Sequence, residues 1–367
     1  MLSKKVLGIS GAMVVAMAAT AAPVAAQEQD WTSFGNGNDT LEIVFINDGH
    51  VAPYHVAWLG GLEDAGAAYD EAFGNVQTSW LSAEGSLEKM IEQAETTINE
   101  NPDVMFVNAI DTEAFVPLIE KAQGQGITWI AVHSPMEEAD YSFTLGDDAN
   151  GYHQGLAMCY LLDDGAQVGI MLGQAGNPSG DARHAGIMSG LAECEGQIEI
   201  IGEQPADWDT VKATSISENW YTQYPDLAAI SGVTDAYMYP SIANAQSMGR
   251  DNVKFFGYDG DEPILQQMVD GNVMADILLS GTREGWNFVS MATNIAVGNA
   301  PEEQVYDFFT PLVLSAENYE AMLADGFPED VPVYTVDDAL DVAVNGFTEF
   351  GPCLLYTSDA ADEGVEG

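Results

Sequence analysis

The chain has 367 residues and a strongly unbalanced charge: 9 Lys and Arg residues stand against 58 Asp and Glu residues, a formal net charge of −49. A surface this negative repels phosphate backbones and anionic membranes, so nucleic-acid binding is not expected. The acidic residues are spread along the chain, which argues against a disordered acidic tail. A salty habitat, where salt screens the repulsion between these charges, explains the composition and leaves the activity open.

The first residues have the composition of an export signal. Residues 1–5 carry two lysines, residues 6–22 are apolar and rich in small side chains, and VAA at 24–26 fits a cleavage site before Gln27. We therefore expect residues 1–26 to be a cleaved signal peptide and residues 27–40 to be a polar leader. A retained N-terminal anchor is the alternative, although the apolar run is shorter than a typical membrane span.

From residue 41 the sequence alternates between apolar strand patterns and amphipathic helical patterns. In the first half, strands are predicted at 41–47, 76–81, 104–109, 127–133 and 141–146, and helices at 55–70, 86–100 and 114–125. In the second half, strands are predicted at 168–173, 198–207, 228–233, 253–260 and 273–280, and helices at 147–162, 182–194, 215–225, 241–249 and 263–271. This alternation predicts an α/β fold with two doubly wound parallel-sheet lobes of about 120 residues each.

One predicted strand ends in a candidate binding residue. The segment VKFFGYDGDEP (253–263) begins as a strand buried on both faces, a pattern typical of parallel sheets. Parallel sheets bind ligands outside the carboxyl ends of their strands, so Asp259 is expected at that edge. An aspartate after a strand can equally cap the next helix, and the motif by itself leaves both roles open.

The chain contains three cysteines. Cys159 and Cys194 lie near the ends of two predicted helices that flank the strand at 168–172, and in an exported protein we expect them to form a disulfide. Two buried free thiols are the alternative. Cys353 begins the segment CLLYTSDAADEG, which resembles a translated sequencing adapter, so we interpret the tail at 351–367 as non-native from Cys353 onward. An ordinary disordered tail is the alternative.

The sequence shows no clear catalytic or metal-binding motif. The five histidines show no helical metal-binding pair with a carboxylate partner, so we expect no metal. The glycine-rich segment GQAGNPSGD (173–181) lacks the lysine of a phosphate loop, and no nucleophile elbow or dinucleotide-binding motif follows the first strand. We therefore expect neither a cofactor nor catalytic residues.

Seven segments, in order, resemble the type I periplasmic binding proteins of the ribose and galactose kind, which serve ABC importers. The segments are APYH (52–55), NPDVMFVNAIDTEAF (101–115), TLGDDANGYHQG (144–155), GNPSGDARHAGIMSGL (176–191), QPADWD (204–209), VTDAYM (233–238) and VKFFGYDG (253–260). The resemblance covers about residues 41–315 and implies two lobes joined by a three-strand hinge. Lobe I would comprise residues 41–145 and 280–308, and lobe II residues 146–279 and 309–350.

The resemblance also implies ligand-binding residues in lobe I. Asp48, Tyr54 and His55 follow the first strand, where related proteins place a polar contact and flat side chains against the sugar. Tyr54 as a core residue that begins a helix, and Asp48 as a local turn former, are the alternatives. His133 stands after another lobe I strand, at a position where related proteins contact the ligand.

In lobe II the resemblance implies ligand contacts from Arg183, Trp208, Asp235 and Asp259. The aspartates would accept hydrogen bonds from sugar hydroxyls, Arg183 would donate to them, and Trp208 would stack on a sugar face. Arg183 stands two residues before the position of the family's main arginine, Ala185, so a structural ion pair is its alternative. Packing is the alternative for Trp208. For Asp235 the alternative is capping or a supporting position behind the residues that contact the ligand.

Two positions depart from the pattern of the pentose binders. His133 and Ser134 stand where an Asp-Arg pair is usual, and Leu279 stands where a glutamine is common. These changes make ribose a doubtful ligand and favour one that is larger, less densely hydroxylated or more apolar on one face.

The resemblance implies a monomeric periplasmic receptor, exported through its signal peptide, that is not an enzyme. It would bind a sugar or polyol between its lobes, close by a hinge motion and dock on an ABC transporter permease. A sensory receptor for a furanosyl or nucleoside-type ligand, feeding a chemoreceptor or kinase, is one alternative. A secreted hydrolase is another, and the sequence shows no nucleophile–base pair to support it.

Overall fold

The computed structural model describes residues 39–49, 53–308 and 310–345. The expected signal peptide at 1–26, nearly all of the polar leader, and the tail with Cys353 lie outside the described residues. Within the described part of the chain, no helix combines the length and the apolar character needed to cross a membrane.

The first sheet has six strands in the order β11-β5-β4-β3-β1-β2, all parallel to their neighbours. Its register places Phe45 of β1 beside Phe106 of β3 and Trp80 of β2. The strands are β1 (Leu41–Asn47), β2 (Val76–Ser82), β3 (Val104–Val107), β4 (Thr128–Val132), β5 (Tyr141–Thr144) and β11 (Val305–Asp307). The helices between them are α1 (Pro53–Phe73), α2 (Leu87–Glu100) and α3 (Thr112–Gln123).

The second sheet has seven strands in the order β13-β12-β10-β9-β8-β6-β7, and only the β10–β12 pair is antiparallel. Its strands are β6 (Ala166–Leu172), β7 (Ile198–Pro205), β8 (Leu227–Gly232), β9 (Lys254–Phe256), β10 (Val273–Ile277), β12 (Leu312–Leu314) and β13 (Val333–Thr335). The remaining helices are α4 (Asp147–Leu161), α5 (Pro178–Leu191), α6 (Thr210–Gln223), α7 (Met238–Ser247), α8 (Glu262–Val269), α9 (Gly281–Ala296), α10 (Ala316–Ala324) and α11 (Val336–Asn345). The predicted α/β fold with two parallel-dominated sheets is confirmed.

The apolar core lies on the faces of both sheets. Strand β3 is buried along its whole length, and β4 is buried from its second residue onward, as expected of strands covered by helices on both sides. In the first sheet, Phe45, Phe106 and Phe288 pack with ring centroids 4.9 to 6.4 Å apart. Burial of such aromatic side chains removes large apolar areas from water and is the main stabilising contribution to this lobe.

The chain crosses from one sheet to the other three times: between β5 and α4, between β10 and α9, and between β11 and β12. Asn150 of α4 contacts the first and third crossings, because its Nδ2 donates to Leu145 O at 2.5 Å and its Oδ1 accepts from Thr310 Oγ1 at 2.5 Å. Arg283 of α9 contacts the second and third crossings. Its Nη1 donates to the carbonyls of Leu278 and Leu279 at 3.1 and 3.2 Å, and its guanidinium lies 4.0 Å from the Phe308 ring centroid.

Two helix pairs approach each other through glycines. In the α1–α9 pair, a Cβ on Gly61 would lie 2.3 Å from the Thr282 carbonyl oxygen, and one on Gly285 would lie 2.2 Å from the Trp58 carbonyl oxygen. In the α4–α5 pair, a Cβ on Gly186 would lie 2.1 Å from the Asp148 carbonyl oxygen. The backbones are therefore too close for any side chain at these positions.

A disulfide joins Cys159 of α4 to Cys194, which ends the short helical turn after α5, with the two Cα atoms 5.8 Å apart. The bond closes a loop with a sequence separation of 35 residues and ties the second helix pair together at one end.

Some element boundaries differ from the sequence-based expectation for local reasons. Strand β9 ends at Phe256, four residues earlier than expected, and Asp259 leaves the strand conformation with a φ of +134°. Helix α6 begins at Thr210, five residues earlier than expected, because the Asp209 side chain caps it by accepting from Val211 N and Lys212 N at 2.7 and 3.3 Å. The sequence reasoning did not identify α9 or β11.

Candidate functional site

Unusual backbone conformations mark the carboxyl edges of both sheets. Seven described non-glycine residues have positive φ; Asn101 is the C-cap of α2, and the others all follow the ends of strands. These others are Glu84, His133, Asp207, Trp208, Asp259 and Ser280. Positive φ is unfavourable for residues with a side chain, and such residues are concentrated at functional sites. We therefore expect the functional site at the carboxyl edges of the sheets.

Arg183 is the centre of the lobe II half of the site. It lies on α5 and is buried; its Nε donates to Asp147 Oδ1 at 2.8 Å, and its Nη1 donates to Val233 O at 2.8 Å and approaches Asp259 Oδ1 at 3.4 Å. The Tyr258 ring centroid lies 4.0 Å from the guanidinium. Burial acts to lower the pKa of Arg183, but Asp147, Tyr258 and Asp259 together outweigh it, and the pKa is raised.

Asp259 is the carboxyl group that faces Arg183. Its Oδ2 accepts from Thr234 Oγ1 at 2.6 Å and from Asp235 N at 3.2 Å, and the residue is 3% exposed. Burial raises its pKa to about 7, although the positive charge of Arg183 opposes the rise. Arg183 therefore makes ion pairs with Asp147 and Asp259, the kind of pairing named as the alternative to a ligand contact for Arg183.

Asp235 occupies a different position from Asp259. Its two carboxyl oxygens accept from Tyr258 N at 3.0 Å and from Asp261 N at 2.9 Å, and the residue is fully buried. These contacts hold the loop after β9, so the geometry favours a supporting role for Asp235 behind Asp259. Thr234, which sequence reasoning did not select, is the neighbour that reaches Asp259.

Trp208 lies in the loop between β7 and α6, half-buried, with a φ of +61°. Its ring stacks on Tyr237 with centroids 6.3 Å apart, and the Arg183 guanidinium lies 6.0 Å from the indole centroid. Its backbone N–H donates to the Tyr237 hydroxyl at 2.8 Å. The loop therefore holds an aromatic ring beside Arg183.

The lobe I half of the site contains Tyr54, His133 and a third residue that the sequence reasoning missed, Glu284. Tyr54 lies in the first turn of α1 and is buried, and its hydroxyl donates to Glu284 Oε2. His133 follows β4 with a φ of +64°, and its Nε2 lies 2.6 Å from Glu284 Oε1. Glu284 lies in the first turn of α9 and is fully buried.

The pKa values of these lobe I groups reflect both burial and charge. Burial, followed by the neighbouring charge of Glu284, raises the pKa of Tyr54 well above its usual value. Burial acts to lower the pKa of His133, but the charge and the hydrogen bond of Glu284 outweigh it, so the pKa of His133 is raised. A raised pKa favours the imidazolium form, which pairs with the carboxyl group of Glu284.

The two half-sites face each other across the crossings. The charges of Asp259 and Arg183 act on the Tyr54 hydroxyl, and the charges of Asp147 and Arg183 act on His133. The backbone also links them, because Ser280 N donates to Asp259 O at 2.7 Å. Polar groups from both lobes therefore meet at the carboxyl edges of both sheets, where open α/β sheets bind ligands.

The other two lobe I candidates, His55 and Asp48, have different surroundings. The His55 ring lies 5.8 Å from the Tyr54 ring and 5.1 Å from the Trp58 ring. Asp48 follows β1, and its backbone carbonyl accepts from Gly85 N at 2.7 Å.

The described residues contain no group of three or more His, Cys, Asp or Glu side chains arranged to hold a metal ion. Two surface depressions, one lined by residues of β7 and α6 and the other by residues 301–307, share no residue with the site around Arg183 and Glu284.

A family model described as a periplasmic binding protein domain matches residues 43–300. This range begins in β1 and extends just past the end of α9. The chain belongs to this family. Among curated relatives of this periplasmic binding protein, a Rhizobium meliloti protein named for rhizopine binding is 23% identical over 315 residues, which are 83% of this chain and 94% of that protein. A D-ribose/D-allose-binding protein of Pseudomonas aeruginosa is 22% identical over 255 residues, which are 66% of this chain and 79% of that protein.

Solved structures share the fold of this periplasmic binding protein. A periplasmic solute-binding protein of an ABC transporter from Actinobacillus succinogenes, with bound D-allose, superposes with a TM-score of 0.67 at 19% identity over 76% of this chain and 99% of that one. A solute-binding protein from Bacillus halodurans, with bound myo-inositol, gives a TM-score of 0.66 at 20% identity over 78% of this chain and 99% of that one. The predicted type I periplasmic binding protein fold is confirmed.

Proposed function

We propose that this periplasmic binding protein is the solute receptor of an ABC importer and that it binds a sugar or polyol between its lobes without catalysing a reaction. The observation that carries the proposal is the meeting of Arg183 and Asp259 from lobe II with Tyr54, His133 and Glu284 from lobe I. A relative named for the binding of D-ribose and D-allose, and a structural neighbour solved with bound myo-inositol, support the ligand class.

The chemistry of these groups suits a polyhydroxylated ligand. A carboxyl group such as Asp259 accepts hydrogen bonds from neighbouring hydroxyls, and the guanidinium of Arg183 donates to hydroxyl or ring oxygens. The half-buried ring of Trp208, beside Arg183, offers an apolar face for the C–H groups of a sugar.

Delivery and transport follow from the same proposal. Residues 1–26 export the chain to the periplasm, where it acts as a monomer. Ligand binding shifts an equilibrium between open and closed lobes, and the closed form presents both lobes to the membrane permease. In a saline habitat the acidic surface keeps the protein soluble.

A ligand screen with matched variants tests the proposal. The Tm of the purified protein is measured with D-ribose, D-allose, myo-inositol and other pentoses, hexoses and polyols. The Kd of each compound that raises the Tm is then measured by calorimetry. A ligand at 100 times its Kd stabilises the native state by about 2.7 kcal/mol. Asp259→Asn is expected to weaken binding at least tenfold, because it removes a charge-assisted acceptor.

Asp111→Asn is the matched control, because Asp111 is also an aspartate after a strand but lies on the exposed surface and caps α3. Asparagine caps a helix as well as aspartate does, so this variant is expected to bind like the wild type. Failure of every sugar and polyol to bind would refute the ligand class, and turnover of a glycoside by the purified protein would refute the absence of catalysis.

A further inference from the structure

Asp276 is a buried carboxyl group outside the ligand site described above. It lies in β10, is fully buried, and its Oδ1 accepts from Ile277 N at 2.6 Å. Its Oδ2 is buried and has no hydrogen-bond partner among the described residues. A buried carboxylate oxygen without a donor is costly, so we expect Oδ2 either to carry a proton or to receive one.

The oxygen that can share this proton is Asp235 Oδ1. A Cβ on Gly257 would lie 2.4 Å from Asp235 Oδ1 and 2.9 Å from Asp276 Oδ2, so the two oxygens converge on the same small space beside β9. Both oxygens of Asp235 accept from backbone N–H groups, those of Tyr258 and Asp261. A proton on Asp276 Oδ2 that is donated to Asp235 Oδ1 therefore satisfies both carboxyl groups.

Further acidic groups lie next to this pair. Asp259 and Asp261, both in the loop after β9, act on both members of the pair. The Tyr239 hydroxyl of α7 donates to Asp261 Oδ2 at 2.8 Å, and Arg183 of α5 is the cation that contacts Asp259, at 3.4 Å. The negative charges beside the pair disfavour the ionisation of both members.

The pKa values agree with a retained proton. Burial, followed by the charge of Asp259, raises the pKa of Asp276 well above its usual value, although backbone N–H groups oppose the rise. Burial, followed by the charge of Asp276, raises the pKa of Asp235 as well. Two interacting acids lose their protons one after the other, so the last proton leaves the pair well above the usual range of carboxyl groups.

The pair is joined to the backbone on both sides of Asp259. The Asp235 carboxyl group holds backbone N–H groups before and after Asp259, and Asp235 N donates to Asp259 Oδ2 at 3.2 Å. Asp259 N donates to the carbonyl of Ile277, the residue after Asp276, at 3.1 Å. With a φ of +134°, Asp259 has a conformation that residues with a side chain rarely adopt, so it depends on these contacts.

We propose that Asp235 and Asp276 are positioning residues whose shared proton holds Asp259 in its ligand-binding position, so that ligand affinity falls when the pair releases this proton at alkaline pH. The inference rests on the proposed function, because Asp259 is a ligand acceptor there. Release of the proton to solvent leaves two negative charges facing each other in a buried site. Their repulsion displaces the backbone that carries Asp259.

The pH dependence of affinity in the wild-type protein is the first test. Calorimetry measures the Kd for D-ribose, D-allose and myo-inositol from about pH 6 to about pH 10, and affinity is expected to fall at the alkaline end by up to about tenfold per pH unit. Affinity that stays level or rises up to the highest pH overturns the inference and leaves the sugar-binding function in place. If no sugar or polyol of the ligand screen binds, the proposed function fails and the inference fails with it.

Asp276→Asn separates the pair from the other groups that titrate in this range. The amide donates to Asp235 at every pH, as the protonated acid does, and it cannot ionise. Asp259 and His133 still titrate, so only the contribution of the pair is lost. At the alkaline end this variant is expected to bind at least roughly tenfold more tightly than the wild type. An alkaline fall as steep as that of the wild type contradicts the assignment.

Asp235→Asn makes the same chemical change in the other member of the pair. Asp235 accepts backbone N–H groups with both oxygens, and an amide has only one acceptor oxygen. Affinity is therefore expected to fall at least about tenfold at every pH. Identical pH profiles for Asp235→Asn and Asp276→Asn would show that the pair fills space and does not position Asp259. Exposed Asp111→Asn is the control and should keep the wild-type profile.

A direct titration covers the case in which the variants do not fold, as judged by circular dichroism. Carbon-13 NMR of the wild-type protein with labelled aspartate side chains follows the ionisation of the carboxyl groups. We expect the most alkaline aspartate titration to coincide with the fall in affinity. If no aspartate titrates where the affinity falls, the pair is not its cause.

Discussion

At the scale of single residues, Asp235 and Asp276 form a buried pair of carboxyl groups beneath the site. Both are fully buried, and a methyl group on Gly257 would lie 2.4 Å from Asp235 Oδ1 and 2.9 Å from Asp276 Oδ2. Burial, followed by the charge of Asp276, raises the pKa of Asp235 well above its usual value, and burial raises the pKa of Asp276 in the same way. Two carboxyl groups this close cannot both ionise, so the pair retains a proton.

This pair makes stability depend on pH. The folded state binds more protons than the unfolded state wherever the pKa of an acid is raised, and the same holds for Asp259, with a pKa of about 7, and for His133. The free energy of unfolding is therefore expected to fall as the pH rises from about 5 to 8. Each unit of pKa difference corresponds to about 1.4 kcal/mol, so we expect a fall of at least about 2 kcal/mol.

Urea unfolding of the ligand-free protein at a series of pH values measures this dependence. Asp276→Asn removes one of the paired acids, and its stability is expected to fall less steeply with pH than that of the wild type. Exposed Asp111→Asn is the control and should keep the wild-type slope. A wild-type stability that rises from pH 5 to pH 8 would show that these groups are ionised in the folded state without penalty.

At the scale of elements, adjacent glycines on α1 have different surroundings. A Cβ on Gly61 would lie 2.3 Å from the carbonyl oxygen of Thr282 on α9, whereas a Cβ on Gly60 would meet no atom within 4 Å. Gly61→Ala is expected to lower the free energy of unfolding by about 1–3 kcal/mol, because the helices must move apart. Gly60→Ala is expected to raise it by up to about 1 kcal/mol through helix propensity.

Denaturant unfolding of the two variants beside the wild type gives this comparison. The two substitutions make the same chemical change at neighbouring positions of one helix, so unfolded-state effects largely cancel between them. Equal effects of the two variants would show that the close α1–α9 approach does not limit side-chain size.

Elements with strong periodic patterns were predictable from the sequence, and elements that depend on distant contacts were not. Strands such as β1, β3 and β4 are runs of mostly apolar residues. The sequence pattern therefore predicts that these strands exist and where they stand in the alternation of strands and helices. The start of α6 was missed because TVKAT (210–214), which has no clear helical pattern, becomes helical after the Asp209 cap.

The site shows the same division. Asp259, Arg183 and Trp208 stand in motifs whose order along the chain resembles a known family, so sequence reasoning could select them. Glu284 has no such motif, and its contact with His133 spans 151 residues of sequence, which no local pattern encodes. The signal that could have drawn attention to it is a glutamate within the predominantly apolar α9 segment GTREGWNFVSMATNIA.

At the scale of the whole molecule, the described residues show three crossings between the sheets, and Arg283 contacts two of them. Burial lowers the pKa of Arg283 to about 10, which leaves it charged at neutral pH. Its guanidinium therefore makes charge-assisted hydrogen bonds to the second crossing. If the lobes move about these crossings, Arg283 restrains the movement.

Arg283→Met is expected to lower the free energy of unfolding by about 2–4 kcal/mol, because hydrogen bonds from charged groups contribute about 1.5–3 kcal/mol each. It is also expected to increase the radius of gyration of the ligand-free protein in small-angle X-ray scattering, because the lobes separate more freely.

Arg250→Met is the control for this effect. Arg250 likewise donates to backbone carbonyls, those of Tyr221, Tyr224 and Pro225, but it does so within lobe II. This variant is expected to lose stability and keep the wild-type radius of gyration. An unchanged radius in Arg283→Met would show that Arg283 supports folding without restraining the lobes.

The position of Trp208 gives the molecule an optical signal of its own. Its indole is half-buried beside the Arg183 guanidinium, whereas Trp129 and Trp220 are buried in the core and away from solvent. A ligand that binds against the indole displaces water from the ring and changes its electrostatic environment. Both changes shift the wavelength and the yield of tryptophan emission. We therefore expect ligand binding to change the fluorescence of the unlabelled protein, on top of the emission of tryptophans such as the exposed Trp80.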